Sequence, residues 1–419
     1  LWLCLLLLVA GAGIGHPLFW RYHVKRFQVV HPGVLYRVGQ PTEFGVRYLV
    51  EQEHVRTVLS LQLDDRRLKP GGPRESEFTR SLGAEHQQWP MGLEACWPWV
   101  TPWQFEQFFR LFDDPAKLPV AVHCMGGRHR TGTVSALFRL EYDRWPVEKA
   151  LAEMYDFGFG APIAHQEIHL RTYLPRPRPD AATFEALRQA FEPVIGNGAK
   201  DYDEFVRRLR GSHDRAGAQK AMEAYLAADK PFALPLAQRL IDGLDDPLAP
   251  MARAKAIACV ENDVATADEW AMAAALIADF GSPEEQARLL AWITEHSHET
   301  TVSPHYAAVA AGVMNRYTPN RQIYLRPLLE DQRHCVNPAA SRYRYCDVAV
   351  ARLAAINNEK LIDGPDDPAG WEQARQRGLA WFAAHRDAEK LSQLLPATGN
   401  NSVQLTEDAL DEDLSRMRR

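Results

Sequence analysis

Apolar and polar positions divide this chain into stretches of different character. Leu1 to Gly15 carries no charge, and Pro17, Leu18, Phe19 and Trp20 prolong the apolar run towards the length of a bilayer span. From there to about residue 174, short apolar runs alternate with segments whose apolar positions recur at helical spacing. Leu118–Val122 is one such run and predicts a buried strand, and Val55–Leu61 and Glu85–Trp89 predict two more. Glu43–Val50 has helical periodicity behind Thr42, a side chain suited to an N-cap. Pro73–Gly83 opens with proline and closes with glycine, the asymmetry of a helix. Pro102–Phe112 reads as a helix with an aromatic face, Thr133–Leu140 as another, and Val147–Met154 as a third that starts after Pro146 and ends near Gly158. Strands alternating with helices predict an α/β layer structure.

Beyond Pro175-Arg176-Pro177-Arg178-Pro179-Asp180 the pattern changes. Alternating prolines and arginines neither pair in a sheet nor continue a helix, so this segment reads as a stiff linker or boundary. The remaining chain is rich in alanine, leucine and charge, with helices predicted at Ala181–Phe191, Tyr202–Leu209, Ala216–Ala228, Leu234–Leu244 and Met251–Cys259. Others are predicted at Ala267–Phe280, Pro283–Glu295, Ser303–Met314, Cys346–Ala355 and Trp371–Ala384. Tyr345–Leu353 and the segment from Trp371 to Arg386 resemble the closing units of bacterial HEAT-like arrays, and a generic helical bundle fits the same pattern. The expected fold is an α/β domain, a central sheet flanked by helices, followed by an all-α helical-repeat or bundle domain, with an N-terminal hydrophobic helix. The expected boundaries are 1–22 for the apolar segment, 23–178 for the α/β domain and 179–230 for a linker with connecting helices. A helical domain at 231–395 and a disordered polar tail at 396–419 complete the chain.

Composition narrows the chemistry. A net charge of −6 with both signs mixed leaves no nucleic-acid footprint. The six cysteines, at positions 4, 96, 124, 259, 335 and 346, show neither close pairing nor metal-ligand spacing, and His296 and His298 read as surface residues. No metal or cofactor is expected. At the amino end, Arg21, His23, Lys25 and Arg26 come directly after the apolar run, as at the edge of a single-pass membrane anchor; Ala10-Gly11-Ala12 would alternatively suit signal-peptidase cleavage.

The chemistry concentrates in His123-Cys124-Met125-Gly126-Gly127-Arg128-His129-Arg130-Thr131-Gly132, which joins a predicted strand to a predicted helix. A loop in that position can aim backbone N–H groups and a helix dipole at one point, which suits a phosphate. A thiol in that field ionises more readily, and Arg130 can fork two phosphate oxygens. The pattern matches the His-Cys-x-x-Gly-x-x-Arg-Thr-Gly signature loop of cysteine-based phosphatases. Together with Val34–Thr42 and Val55–Leu61 it resembles the atypical plant-and-fungal-like dual-specificity phosphatases and their bacterial relatives, over about Phe27 to Leu174.

The resemblance implies Cys124 as nucleophile, Arg130 and the amides of Met125 to Arg130 as the anion hole, and the Thr131 hydroxyl as a partner of the sulfur. His123, Met125, Gly126, Gly127, Arg128, His129 and Gly132 complete the substrate-binding set, His123 by orienting the loop through backbone hydrogen bonds. Arg128 and His129 either widen a positive funnel or are solvated charges at the rim. The implied substrates are phosphorylated proteins or inositol phosphates and pyrophosphates. An aspartate normally supplies the leaving-group proton from a loop about thirty residues upstream, a step worth roughly two to four orders of magnitude. Here Met91 comes after Trp89-Pro90 at that place, leaving Glu94 as the local carboxylate and Asp64 and Asp65 as a second choice. The expected protein is a membrane-tethered phosphatase whose helical domain binds a protein partner or acts as a spacer. The alternative is a phosphate-recognition scaffold that keeps the loop but turns over poorly. A third reading makes the helical array the principal function and the phosphatase domain its regulator.

Overall fold

The computed structural model describes residues 22–91, 100, 102–160, 167–241, 246–261, 265–315, 321–357, 360–362 and 367–385. Residues 1–21 of the expected anchor at 1–22, the candidate acid Glu94 and the polar tail lie outside the described residues. Among those described, no helix is long and apolar enough to cross a membrane.

Five strands form one sheet: β1 (Gln28–His31), β2 (Leu35–Gly39), β3 (Thr57–Ser60), β4 (Glu85–Gln88) and β5 (Val120–Cys124), in the order β1-β2-β5-β3-β4. β1 pairs with β2 antiparallel, and every other pairing is parallel. β5 lies at the centre with all five residues buried, which accounts for its unbroken apolar run. β1 escapes the sequence reading because an edge strand needs little burial; of its four residues Val30 alone is buried.

The helices of this unit are α1 (Glu43–Glu51), α2 (Glu75–Ser81), α3 (Pro102–Asp113), α4 (His129–Glu141), α5 (Val147–Asp156) and α6 (Glu167–Arg171). Thr42 caps α1 by accepting from Gly45 N, as its position predicts. α2 starts at Glu75 rather than Pro73, because Asp65 from a distant loop accepts from Ser76 N and Ser76 Oγ. α4 starts at His129, four residues before the predicted Thr133, so the signature motif supplies its first turn. Alternate sheet residues bury opposite faces. Tyr36, Val38, Val58 and Ala121 pack with Leu49 on one side, and Leu35, Leu59, Val120 and Val122 pack with Phe108, Phe112 and Phe138 on the other.

The remainder is helical: α7 (Ala181–Ile195), α8 (Tyr202–Arg210), α9 (Arg215–Ala227), α10 (Ala233–Leu240), α11 (Ala249–Val260), α12 (Ala267–Phe280), α13 (Pro283–His296), α14 (Pro304–Met314), α15 (Gln322–Leu328), α16 (Tyr345–Asn357) and α17 (Pro368–Ala384). The predicted helices are present with ends moved by a few residues; α15, a short segment containing Pro327, was not predicted. A Cβ on Gly312 would meet Ala271 O at 2.2 Å, so α12 and α14 cross with backbones nearly touching.

The proline–arginine segment is extended, and its two arginines are paired with carboxylates. Arg176 is buried, donating to Glu141 Oε1 at 2.5 Å and Asp113 Oδ2 at 2.9 Å. Arg239 of α10 donates to Asp113 Oδ1 at 2.6 Å and to Asp203 of α8 at 2.8 Å, and Tyr142 and Tyr173 add hydroxyls to Asp113 and Glu141. Arg178 also pairs with Asp203. Further along, Arg352 of α16 reaches His169 of α6 and Thr172, while Asn315 bonds both backbone groups of Leu174. The sheet unit and the helical unit thus share a seam of buried charges.

Candidate active site

Strand register brings the site together. Cys124, the last residue of β5, pairs with Gly39 at the end of β2, and the next four residues form a tight loop into α4. Cys124 is a free thiol, 5% exposed. The first turn of α4 contains His129, Arg130 and Thr131, which places the anion-favouring end of the helix at the loop. Gly127 has φ +64°, and a Cβ there would meet Gly39 N at 2.7 Å; the loop therefore lies directly on the end of β2.

The loop carbonyls are all accounted for. Met125 O accepts from Gln40 N at 3.2 Å, Gly126 O from Arg26 Nη1 at 2.8 Å and Gly127 O from Arg37 Nη2 at 2.9 Å. A trans peptide points its N–H opposite to its C=O. Holding three successive carbonyls against the N-terminal segment turns the amides of Gly126, Gly127 and Arg128 the other way. The loop is an anion cradle held from outside.

The side chains around it differ in role. Arg130 is half-buried, and its Nη1 donates to Leu61 O at 3.0 Å, which sets the guanidinium beside the loop after β3. Burial draws Arg130 below its ordinary value, against the opposing pull of Cys124. Met125 is 54% exposed and Arg128 is exposed at the rim. His129 is half-buried with its ring edge against Phe159; burial, then Arg128 and Arg130, lowers its affinity for a proton, so at neutral pH it adds no charge. The Thr131 hydroxyl is buried and makes no hydrogen bond among the described residues, to the sulfur included.

His123 is 0% exposed, with Nε2 of its side chain 2.9 Å from Glu75 Oε1. Its backbone carbonyl accepts from Leu61 N, tying the strand end to the loop after β3. Glu75 is also buried, with His86 Nε2 at 4.0 Å and Gln40 Nε2 at 3.3 Å from Oε2. Burial alone would push this carboxyl up, but His123, then His86 and Gln40, hold it below its ordinary value. Sequence reasoning missed Glu75 because a glutamate in the first turn of a helix ordinarily reads as a solvated dipole partner. Arg37 was missed for a similar reason: one charge inside an apolar strand carries no local sign of its partner.

The acid candidates separate. Met91, at the position where an aspartate is expected, is 1% exposed and packed in the core beside Trp89. Asp65 is engaged at the start of α2. Asp64 is exposed and lies 3.3 Å from Arg66 Nε, on the loop that Arg130 contacts through Leu61.

Residues 23–175 match the model of the tyrosine phosphatase family. The chain is 31% identical over 126 residues to OCA1 of Mycosarcoma maydis, a protein named as a putative tyrosine-protein phosphatase, and the match covers 30% of this chain and 75% of that one. Among solved structures it is similar to TpbA of P. aeruginosa, at 24% identity, 35% and 83% coverage and a TM-score of 0.28. It is also similar to the core catalytic domain of the PP-IP phosphatase SIW14 from S. cerevisiae, at 21% identity, 40% and 94% coverage and a TM-score of 0.30. Through its sheet-containing unit the chain belongs to the tyrosine phosphatase family and is a phosphoric monoester hydrolase.

Proposed function

We propose that the protein removes phosphate from phosphotyrosine, phosphoserine or phosphothreonine proteins, or from inositol phosphates, through a phosphocysteine formed on Cys124. The Cys124 sulfur attacks phosphorus in line, the bond to the leaving oxygen breaks, and water then displaces the sulfur to release inorganic phosphate. Arg130 and the amides from Met125 to Arg130 hold the equatorial oxygens through both steps. Thr131, whose hydroxyl has no partner among the described residues, is placed at the start of α4 to support the departing thiolate. The carrying observation is the outward tethering of the three loop carbonyls, which leaves the amides converging beside a free thiol.

Arg26, Arg66 and Arg128 surround the loop, which favours densely charged substrates. The burial of Met91 favours a leaving group that departs without strong acid assistance, a property of phosphoanhydrides. The direct test is phosphate release by the full chain from a phosphotyrosine peptide and an inositol pyrophosphate in parallel, with faster release expected from the pyrophosphate. The same missing aspartate supports the scaffold alternative. Undetectable turnover of every ester and anhydride, with tungstate still bound, would establish it.

Glu94→Gln and Asp64→Asn decide the acid. If either residue donates the leaving-group proton, its variant slows phosphotyrosine hydrolysis roughly 100-fold and activated aryl phosphates far less. Equal, small effects on both substrates would remove that residue from the mechanism.

We also propose that residues 1–22 tether the protein to a membrane and that the helical unit offers a surface to a protein partner. Cell fractionation should place the full chain with membranes and the 23–419 form in the supernatant. A soluble product cleaved near Gly13 would replace the anchor with a signal sequence.

A further inference from the structure

We propose that Arg37 is a positioning residue of the catalytic loop, its buried guanidinium holding the Gly127 carbonyl outward so that the Arg128 amide is aimed at the anion site. This rests on the phosphocysteine reading of the site. Arg37 lies on β2 and is 0% exposed. One of its nitrogens, Nη2, donates to Gly127 O at 2.9 Å. The other two, Nε and Nη1, are buried and have no hydrogen-bond partner among the described residues.

A guanidinium left two-thirds unsatisfied in a protein interior costs stability, so its presence calls for a reason other than packing. The surroundings supply no direct counter-charge among the described residues. Glu153 of α5 is the nearby carboxylate, but Arg139 of α4 already holds both its oxygens, at 3.1 and 2.7 Å. The face of Phe157 lies 4.0 Å from the guanidinium carbon and cannot neutralise it. The charged and titratable groups that bear on Arg37 are Glu153, Cys124, Arg139 and Arg26. Of these, Glu153 and then Cys124 favour its charge, while Arg139 and Arg26 oppose it. Burial lowers Arg37 to about 10, which still leaves it charged at neutral pH.

The reacting centre is affected through the loop backbone. The Gly127–Arg128 peptide is pinned with its N–H towards the anion cradle, because its carbonyl is drawn the other way by Arg37.

Arg37→Met and Arg37→Lys in the full chain test this against a merely structural role. Methionine fills similar space and removes two unsatisfied donors, so its thermal midpoint should stay within about 3 °C of the parent or rise. Its kcat on an aryl phosphate should fall by roughly 30-fold or more. Its affinity for tungstate should fall roughly 10-fold, because the Arg128 amide is no longer aimed at the anion. Lysine can still donate to the Gly127 carbonyl, so Arg37→Lys should recover part of the lost tungstate affinity and kcat. Parental tungstate affinity and kcat in Arg37→Met would overturn the proposal, as would activity loss that merely tracks loss of folded protein in both variants. Cys124→Ser run alongside separates the two readings. An active serine variant defeats the phosphocysteine mechanism itself, whereas an inactive one beside an unaffected Arg37→Met defeats this inference alone.

Discussion

Cys124→Ser is expected to abolish phosphate release, by at least about four orders of magnitude, while leaving tungstate binding nearly intact. The difference arises because the hydroxyl is a far weaker nucleophile than a thiolate, whereas the cradle is built from backbone. The outward bonds from Gln40, Arg26 and Arg37 do not involve the sulfur, and neither does the first turn of α4. Arg130→Lys should fall almost as far, since an ammonium cannot reproduce a planar fork on two oxygens. Single-turnover phosphate release with isothermal titration of tungstate measures both quantities on the same preparation. Retention of substantial turnover by Cys124→Ser would exclude a covalent intermediate on this residue.

The second large effect concerns the seam, and it changes which fragment can be studied. Residues 23–178 contain the sheet and the whole signature loop, yet cutting there removes Arg239, Arg352 and Asn315 from their partners. Asp113, His169 and the backbone of Leu174 would each lose a bond. The 23–178 fragment should therefore be poorly soluble and less cooperative in thermal unfolding than the full chain. Within the full chain, Asp113→Asn leaves Arg176 with Glu141 and Arg239 with Asp203 as their remaining buried carboxylate partners. Breaking a buried pair from one side costs about 3–5 kcal/mol, which lowers the thermal midpoint of a cooperative unit this large by roughly 5 °C. A fragment as stable as the full chain would show that the helical unit is merely attached.

The same seam sets an acid limit on stability. Burial alone would raise the Asp113 and Glu141 carboxyls, but Arg176 and Arg239 outweigh it and hold both below the ordinary range. A carboxyl depressed in the folded state contributes stability above its unfolded pKa of about 4, and that contribution disappears as pH falls through the folded value. Unfolding by acid should thus be steep below about pH 4. Asp113→Asn should flatten the slope.

Some of this protein was legible residue by residue. The catalytic loop could be read because its chemistry demands fixed types at fixed spacing: a thiol, two glycines that permit close approach, and an arginine six positions on. β5 was readable from its apolar run, α1 from Thr42, and the helical remainder from alanine-rich periodicity, since each depends on local composition and near neighbours. The start of α4 was placed four residues late because the motif residues look like loop and serve as helix.

Tertiary structure decided everything that depends on partners distant along the chain. Arg37 beneath Gly127, Glu75 against His123, and Arg26 on Gly126 lie 90, 48 and 100 positions from what they touch, and each is an ordinary charged residue in its own neighbourhood. The proline–arginine segment is the plainest case. Its backbone restrictions were readable from composition and predicted an extended stretch, which is what forms. Whether its arginines face water or a buried carboxylate depends on Asp113 and Glu141, brought there by helices α3 and α4. Local sequence determines the conformations a segment can adopt. Only the assembled fold determines which charges lose their water, and so which ones must find each other.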